Sequence, residues 1–391
     1  MRFNPYPFEK LRYLLKDCKP QKAGINLSIG EPAFSPPHSV LESICKNATS
    51  IRYYPTLQQD LIKSQRDFIA ERFHVNMQDD EIIPTFGSRE VLFNFPQFLF
   101  LSRKPKSHKP VIAFPNPFYQ IYEGAQIANH ADVIYMPLTN DNDFKPMLSK
   151  QDLAQVDVVI LNSPNNPTGQ ILSLEELTQW AKWALEYDFI VINDECYSEI
   201  YEECPPPSIL EVSKRLESCG AKHARFKNIF AINSISKRLS APGLRSGFIA
   251  GDKEILQGYR VFRTYVGISM PLVLQEASII AWREREYAES IRQKFAINLK
   301  LAREIFSGCR IFPYTFYLWL YIDSMSPSFY HSSDESFTKE LFIRTGHTIL
   351  PGSYLGREGA GKGFVRIALT QEEQAMKKSL LDIQALYQHC N

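Results

Sequence analysis

Apolar runs of strand length alternate with stretches of helical periodicity along most of the chain. Apolar runs of four to eight residues are typical of buried strands, whereas apolar residues at every third or fourth position are typical of helices. Strands that alternate with helices predict a mainly parallel α/β sheet. The predicted strands are 82–86, 111–114, 133–136, 156–161, 189–193, 228–233 and 247–250, and the clearest predicted helices are 57–75, 119–129 and 173–187.

The two ends of the chain have different patterns. Residues 1–34 are interrupted by prolines and predict an irregular segment, while 276–306 carry one continuous helical pattern long enough to bridge two domains. We therefore predict an N-terminal arm (1–45) that contributes to a small domain, a large domain (46–280), and a small α+β domain (281–391). In the last of these, strands are predicted at 311–313, 317–321 and 364–368, and helices at 335–345 and from 371.

Charge and cysteine usage exclude several classes of protein. Lys and Arg number 44 against 43 Asp and Glu, so there is no basic field for nucleic acid and no polybasic membrane anchor. Seven scattered cysteines without C-x-x-C spacing indicate neither a disulfide framework nor a metal site. The N-terminus lacks the apolar core of a signal peptide, and the longest apolar run, 91–101, is too short and too polar to span a bilayer. We expect a cytoplasmic protein.

Polar side chains follow several of the predicted strands, and ligands of open α/β sheets bind beyond the carboxyl ends of strands. Ser88 and Arg89 open a helix after one strand, where backbone N–H groups bind phosphate, although Ser88 alone is also a plain helix cap. Asn166 follows a second strand in what is otherwise an ordinary turn. Asp194 follows a third strand, and Tyr197 lies three residues further on. A buried carboxylate at this place needs a cationic or N–H partner, and a structural ion pair would also meet that need.

The stretch 234–247, SISKRLSAPGLRSG, holds the most unusual set of side chains. It places Lys237 between predicted strands together with Ser234, Ser236 and Arg245, which on spacing alone is equally a solvated turn. Pyridoxal phosphate (PLP) needs the combination that the strand ends supply. A lysine binds its aldehyde, a carboxylate keeps its pyridine nitrogen protonated, a phenol and an amide hold its 3-oxygen, and serines, an arginine and a helix start neutralise its phosphate.

Several motifs resemble the class I/II aminotransferases of PLP fold type I. They are SPNNPTG (163–169), NDECY (193–197) and SxSKxxxxxGxRxG (234–247), with weaker matches at 28–37 and 351–369. The resemblance covers essentially the whole chain, in order. It implies the α/β transferase fold, PLP as cofactor, amino acid and keto acid substrates, and a homodimer with a shared active site.

The resemblance also implies residue roles. Lys237 matches the Schiff-base lysine and general acid/base, Asp194 the partner of the pyridinium, and Asn166 and Tyr197 the ligands of the 3-oxygen. Arg366 matches the arginine that binds the substrate α-carboxylate, with the backbone of Gly30 opposite, and a guanidinium suits a carboxylate better than an ammonium does. The implied phosphate ligands are Ser88, Arg89 through its backbone N–H, Ser234, Ser236 and Arg245, and Tyr119 is implied to stack on the ring.

The sequence departs from the family near residue 54 and near residue 360. The family tyrosine that reaches the partner subunit's phosphate precedes a glycine that is absent here, so we predict Tyr54 for this role with Tyr53 as the alternative. The stretch 356–362 fits the spacing of a nucleotide P-loop. Gly363 stands where a Ser or Thr would bind magnesium, and a strand follows rather than a helix, so we reject a nucleotide site.

Two segments, 237–252 and 263–271, resemble the N-succinyl-diaminopimelate aminotransferases of lysine biosynthesis, with differences at Leu239, Ser240 and Val266. This implies N-succinyl-LL-2,6-diaminopimelate and 2-oxoglutarate as substrates, with Arg238 or Arg263 as candidates for the distal carboxylate unless they are structural. The alternatives are aspartate-, aromatic- or acetylornithine-type aminotransferases and a PLP C–S β-lyase. A non-catalytic PLP-binding regulator would need a DNA-binding domain, which we do not expect in 391 residues.

Overall fold

Two sheets organise the chain. The computed structural model describes residues 3–218, 225–267, 269–322 and 333–388. Among these residues, the strands are β1 (Ile82–Thr85), β2 (Val111–Asn116), β3 (Asp132–Pro137), β4 (Val158–Asn162), β5 (Ile190–Asp194), β6 (Ile229–Ser234), β7 (Gly247–Gly251), β8 (Tyr317–Tyr321), β9 (Leu350–Pro351) and β10 (Phe364–Ala368). The α-helices are α1 (Pro7–Leu15), α2 (His38–Asn47), α3 (Gln59–Phe73), α4 (Ser88–Ser102), α5 (Ile121–Ala128), α6 (Lys150–Gln155), α7 (Leu174–Glu186), α8 (Val212–Ser218), α9 (Ile235–Arg238), α10 (Lys253–Val266), α11 (Leu272–Arg283), α12 (Glu286–Ile305), α13 (Asp334–Thr345) and α14 (Glu373–Gln388).

The larger sheet has the strand order β1-β7-β6-β5-β4-β2-β3. Strands β6, β5, β4, β2 and β3 run parallel to one another, and β7 is antiparallel to its neighbours β1 and β6. The predicted mainly parallel α/β sheet is therefore confirmed. Its parallel strands are buried throughout except at the edge strand β3, because helices cover both faces.

Successive residues of the central strands enter opposite apolar cores. Ile190 and Ile192 of β5 pack in one core, whereas Val191 between them packs in the other. The same alternation separates Val159 from Ile160 in β4. The sheet is thereby fixed from both sides, which holds the carboxyl ends of β4, β5 and β6 in constant relative positions.

The smaller sheet has the order β8-β10-β9 and is antiparallel. A separate apolar core that includes Phe295, Leu318 and Ile367 joins this sheet to α12 and α14. The domain boundaries at 45 and 280 stay predictions. Helix α1 contacts α13 and β9, whereas α2 contacts α11. Among the described residues, no helix is both long and apolar enough to cross a membrane.

Three expectations about local structure were wrong. The continuous helix at 276–306 is two helices, α11 and α12, separated at Glu284 and Arg285. Buried Arg238 donates to the carbonyl oxygens of Ala281 (3.0 Å) and Glu284 (2.5 Å), so these carbonyls at the end of α11 are satisfied without further helix.

The other two expectations fell on segments that contain proline. Residues 311–313 form no strand; Pro313 has no N–H for a ladder, and pairing nearby is limited to one bridge between Tyr201 and Tyr314. The N-terminal segment is not wholly irregular, because α1 begins at Pro7, where the missing N–H costs nothing. Leu11 of this helix packs against the small sheet in a cluster with Leu350.

Candidate active site

A cavity of about 740 Å³ opens between the two sheets. Asn162, Asp194 and Ser234, the last residues of β4, β5 and β6, lie at its floor, as expected for a ligand site beyond strand carboxyl ends. The small sheet contributes further lining residues. The cavity brings together the sequence-predicted Gly30, Ser88, Arg89, Tyr119, Asn166, Asp194, Tyr197, Ser234, Ser236, Lys237, Arg245 and Arg366.

Lys237 extends from the one-turn helix α9 into the cavity. The side chain of Ser234 accepts a hydrogen bond from the backbone N–H of Ser236 (3.2 Å) and so starts this turn directly after β6. The Lys237 Nζ donates to the carbonyl oxygen of Gly30 (2.5 Å) and lies over the ring of Phe316. Burial lowers the pKa of the Lys237 amine, which favours the neutral, nucleophilic form.

Asp194 is a buried carboxylate without a cationic partner among the described residues. Its Oδ2 accepts from the hydroxyl of Tyr122 (2.8 Å) and its Oδ1 from the backbone N–H of Cys196 (3.3 Å). Burial raises the pKa of Asp194, although both hydrogen bonds oppose the shift. A buried carboxylate is costly unless a cation joins it. A protonated ring nitrogen entering the cavity would supply that missing charge.

An anion cradle lies beside the lysine. Ser88 begins the 15-residue helix α4, and the hydroxyls of Ser234 and Ser236 are 2.8 Å apart. The Arg245 guanidinium lies so close to Gly87 that a Cβ there would stand 2.2 Å from Nη2, and Gly87 also has φ +80°. The positive φ favours glycine at residue 87, and the missing side chain leaves room for the guanidinium. Hydroxyls, a guanidinium and a helix start together suit a phosphate dianion.

Arg366 lies in β10 on the opposite side of the cavity and is buried. Its Nη1 donates to Oδ1 of Asn166 (2.9 Å) and its Nη2 to the carbonyl oxygen of Ser28 (2.7 Å). The Nε has no hydrogen-bond partner among the described residues. A buried guanidinium with a spare donor and no carboxylate partner in the described chain is suited to receive a carboxylate ligand.

The two predicted phenols occupy different walls. Tyr197 is buried, and its hydroxyl donates to that of Tyr317 (3.4 Å). The hydroxyl of Tyr119 accepts from Nε of Arg89 (2.9 Å). Burial raises the pKa of both tyrosines, so both remain protonated at neutral pH. Arg89 therefore contributes its side chain as well as its place in the first turn of α4.

Tyr54 lies outside this cavity, and 97% of its side chain is exposed. Tyr53 is likewise exposed and does not line the cavity. The assignment of Tyr54 to the partner's phosphate stays a prediction.

The two arginines considered for a distal carboxylate do not line the cavity. Arg238 binds the end of α11 and lies 3.5 Å from Glu199, and Arg263 is bidentate with Glu90 (2.8 and 3.1 Å). Both side chains are committed to structural contacts, which is the alternative that the sequence analysis left open for them.

Sequence reasoning missed several residues that line the cavity and one that holds Asp194. Tyr122, in the first turn of α5, does not line the cavity, but its hydroxyl donates to Asp194. Tyr317 begins β8 and looks like an ordinary core aromatic in sequence. Tyr6 and Phe8, at the start of α1, also line the cavity. No local sequence pattern predicts that this helix lies beside it.

The comparisons with known proteins agree with this geometry. The family model "Aminotransferase class I and II" matches residues 22–381. An LL-diaminopimelate aminotransferase of Natranaerobius thermophilus is 29% identical over 96% of this chain and 95% of its own. The crystal structure of aminotransferase AspB from Helicobacter pylori 26695 superimposes with a TM-score of 0.93 at 47% identity, covering 99% of this chain and 100% of that one. An aminotransferase from Neisseria meningitidis Z2491 superimposes with a TM-score of 0.88 at 30% identity, covering 99% of this chain and 98% of that one.

The chain belongs to the class I and II aminotransferases. It is a PLP-dependent aminotransferase with the α/β architecture of fold type I. The cavity suits this cofactor, because it offers a buried amine, a buried carboxylate that lacks a cation, and an anion cradle. Among the described residues, no group of three His, Cys, Asp or Glu side chains is placed to hold a metal ion.

Proposed function

We propose that this enzyme transfers the amino group of N-succinyl-LL-2,6-diaminopimelate to 2-oxoglutarate in lysine biosynthesis, in the cytoplasm. The resemblance of segments 237–252 and 263–271 to the N-succinyl-diaminopimelate aminotransferases carries this proposal. The second candidate donor is LL-diaminopimelate without the succinyl group, since the relative from N. thermophilus bears that name.

The binding roles in this proposal follow from the cavity. Arg366, whose Nε has no described partner, would bind the α-carboxylate with Asn166 beside it. Ser88, Ser234, Ser236 and Arg245 would hold the phosphate of the cofactor. Asp194 would keep a proton on its ring nitrogen, and Tyr197 with Asn166 would hold its 3-oxygen.

The chemical step needs one base. When bound, PLP supplies an aldehyde for the amino group and a ring that withdraws electrons from the α-carbon. Lys237 would remove the proton from the substrate α-carbon, and burial, which lowers its pKa, favours the neutral amine that can act as the base. The substrate carboxylate on Arg366 would fix the α-carbon within reach of the lysine.

The distal end of a long acidic donor needs a further cation. Arg89 lies at the cavity wall and is exposed, with the hydroxyl of Tyr119 as its hydrogen-bond partner and no carboxylate partner in the described part of the chain. Since Arg238 and Arg263 are committed elsewhere, we assign the distal succinyl carboxylate to the side chain of Arg89.

The test is a panel of amino donors with 2-oxoglutarate as the acceptor. N-succinyl-LL-diaminopimelate, LL-diaminopimelate, acetylornithine, aspartate and phenylalanine are compared by kcat/KM, and cystathionine is assayed for pyruvate release. We expect the succinylated donor to be preferred, and Arg89→Gln to lower its kcat/KM about tenfold more than that of phenylalanine. Preference for another donor would reject the substrate assignment, and pyruvate from cystathionine as the main activity would favour the lyase.

The assembly is also a proposal. The segment that contains Tyr54 exposes several large apolar side chains, including Ile51 and Leu57, and such a patch suits contact with a second copy of this chain. We propose a homodimer in which Tyr54 completes the partner's phosphate site.

A further inference from the structure

Tyr317 lies where the substrate-binding and cofactor-binding parts of the cavity meet. It is the first residue of β8 and is buried, and it pairs with Ala368 in the ladder of β8 and β10. Arg366, two residues before Ala368 on β10, lies on the same face, so its guanidinium stacks on the Tyr317 ring at 4.1 Å from the centroid. A buried cation on an aromatic face is held more strongly than an exposed one.

The hydroxyl of Tyr317 makes two further close approaches. It accepts the hydrogen bond of the Tyr197 hydroxyl at 3.4 Å. It also lies against Gly30, where an added Cβ would be only 2.0 Å from the phenol oxygen. Glycine is therefore required at residue 30, whose carbonyl receives the Lys237 amine. One side chain thus contacts Arg366, Tyr197 and Gly30, the residue whose carbonyl accepts from Lys237.

The charges beside Tyr317 affect the strength of its hydrogen bond with Tyr197. Burial raises the pKa of the Tyr317 phenol, but the positive charges of Arg366 and Lys237 outweigh burial and lower it overall. The pKa of Tyr197 is raised well above its usual value, first by burial and then by Tyr317. A lowered pKa makes the Tyr317 phenol a weaker acceptor, and the charges of Arg366 and Lys237 maintain this, in keeping with the long 3.4 Å hydrogen bond from Tyr197.

We propose that Tyr317 is a positioning residue that couples Arg366 to Tyr197: its ring holds the guanidinium, and its hydroxyl holds the Tyr197 phenol. A substrate carboxylate on Arg366 offsets the guanidinium charge beside Tyr317, so the Tyr317 oxygen becomes a better acceptor. The hydrogen bond from Tyr197 then strengthens, and occupation of the carboxylate site changes the hydroxyl that is proposed to hold the 3-oxygen of the cofactor. The inference rests on the proposed roles of Arg366 and Tyr197.

Two variants distinguish the function of the Tyr317 ring from that of its hydroxyl. Tyr317→Phe keeps the ring and removes the hydroxyl, and Tyr317→Leu also removes the ring. The ligand is glutarate, which carries the carboxylates of glutamate without its amino group. Its Kd is measured by calorimetry, and the change it causes in the absorbance band of the bound cofactor is recorded. Tyr321 on the same strand is outside the cavity and provides matched controls, Tyr321→Phe and Tyr321→Leu.

We expect Tyr317→Phe to bind glutarate within about twofold of wild type, because the ring remains. Its kcat should fall about tenfold with little change in KM, and the glutarate-induced absorbance change should be largely lost. Tyr317→Leu should weaken glutarate binding at least about tenfold. The proposal is overturned if Tyr317→Phe retains both kcat and the absorbance change, or if it weakens glutarate binding as much as Tyr317→Leu does.

Arg366→Gln separates this inference from the proposed role of Arg366. If Arg366 binds the carboxylate, this variant loses glutarate affinity whatever Tyr317 does. Wild-type glutarate affinity in Arg366→Gln would overturn both the proposed role of Arg366 and the coupling through Tyr317. Lost glutarate affinity in Arg366→Gln, together with wild-type kcat and absorbance change in Tyr317→Phe, would overturn the coupling alone. Melting temperatures identify a variant that fails to fold, and in that case Tyr317→Phe, which keeps the packing of the ring, decides the outcome.

Discussion

Replacing Asp194 by asparagine removes a buried charge while keeping the shape of the side chain. The amide oxygen can still accept from the Tyr122 hydroxyl, which lies 2.8 Å from Oδ2 in the structure. What is lost is the negative charge at the cavity floor. Because the described chain provides no cation for it, the proposed partner is the protonated ring nitrogen of the cofactor.

The size of the effect follows from that pairing. Removing one member of a buried ion pair costs about 3–5 kcal/mol. If this free energy is lost from the stabilisation of the transition state, kcat/KM falls by roughly 10² to 10³-fold or more, since each 1.36 kcal/mol corresponds to about tenfold in rate. We expect Asp194→Asn to fold, to bind PLP more weakly, and to lose activity on this scale.

Without the cofactor, Asp194→Asn should not weaken the protein but leave its thermal stability unchanged or raise it. Burial raises the folded-state pKa of Asp194, so its contribution to stability is present below its unfolded pKa and is lost as pH rises through the folded value. At neutral pH the uncompensated charge is a cost. We therefore expect cofactor-free Asp194→Asn to melt at or above the temperature of the cofactor-free wild type.

The assay combines steady-state kinetics, PLP titration and thermal melts with and without cofactor. Glu195→Gln is the matched control, because Glu195 is buried one residue further on but hydrogen-bonds Asn193 and the backbone of Ile209 outside the cavity. This control should stay within a few-fold of wild type in kcat/KM. An Asp194→Asn enzyme with near-wild-type kcat/KM and PLP affinity would refute the reasoning.

Three further predictions follow from other parts of the chain. Arg238→Met leaves two helix carbonyls without their partner, while Glu199 keeps Arg72 at 2.6 Å, and it should lower the free energy of unfolding in urea by about 1–3 kcal/mol for each unsatisfied carbonyl without changing the donor preference; a selective loss of one donor would contradict its structural role. Burial raises the pKa of Glu195 to about 7, so the cofactor-free protein should lose about 3 kcal/mol of stability as pH rises from 4.5 through 7, and Glu195→Gln should flatten that pH profile. Sedimentation should show a dimer whose Tyr54→Phe variant binds PLP more weakly, whereas a fully active monomer would contradict the shared site.

The predictable part of the site came from residues that follow strands directly. Asp194 and Ser234 end β5 and β6, so parallel pairing alone brings them to one edge of the sheet. Arg366 was placed only by the resemblance to the family, since an arginine within a strand does not by itself indicate a ligand.

The remainder depends on contacts between distant segments. Tyr122 reaches Asp194 across 72 positions, and Tyr317 reaches Tyr197 across 120, so no local periodicity reveals either pair. The break between α11 and α12 was missed for the same reason. It coincides with a side chain, Arg238, that comes from the turn after β6, more than 40 residues earlier in the chain, and satisfies the carbonyls of the helix end.

The central claim is that Lys237 is the residue that holds the cofactor. Its most direct test is to load the protein with PLP, reduce it with borohydride, and map the modified peptide by mass spectrometry. We expect the adduct on Lys237, whose amine lies buried 2.5 Å from the Gly30 carbonyl, and no stable adduct in Lys237→Ala. An adduct on another lysine, or an unaltered yield of modified protein in Lys237→Ala, would contradict the account.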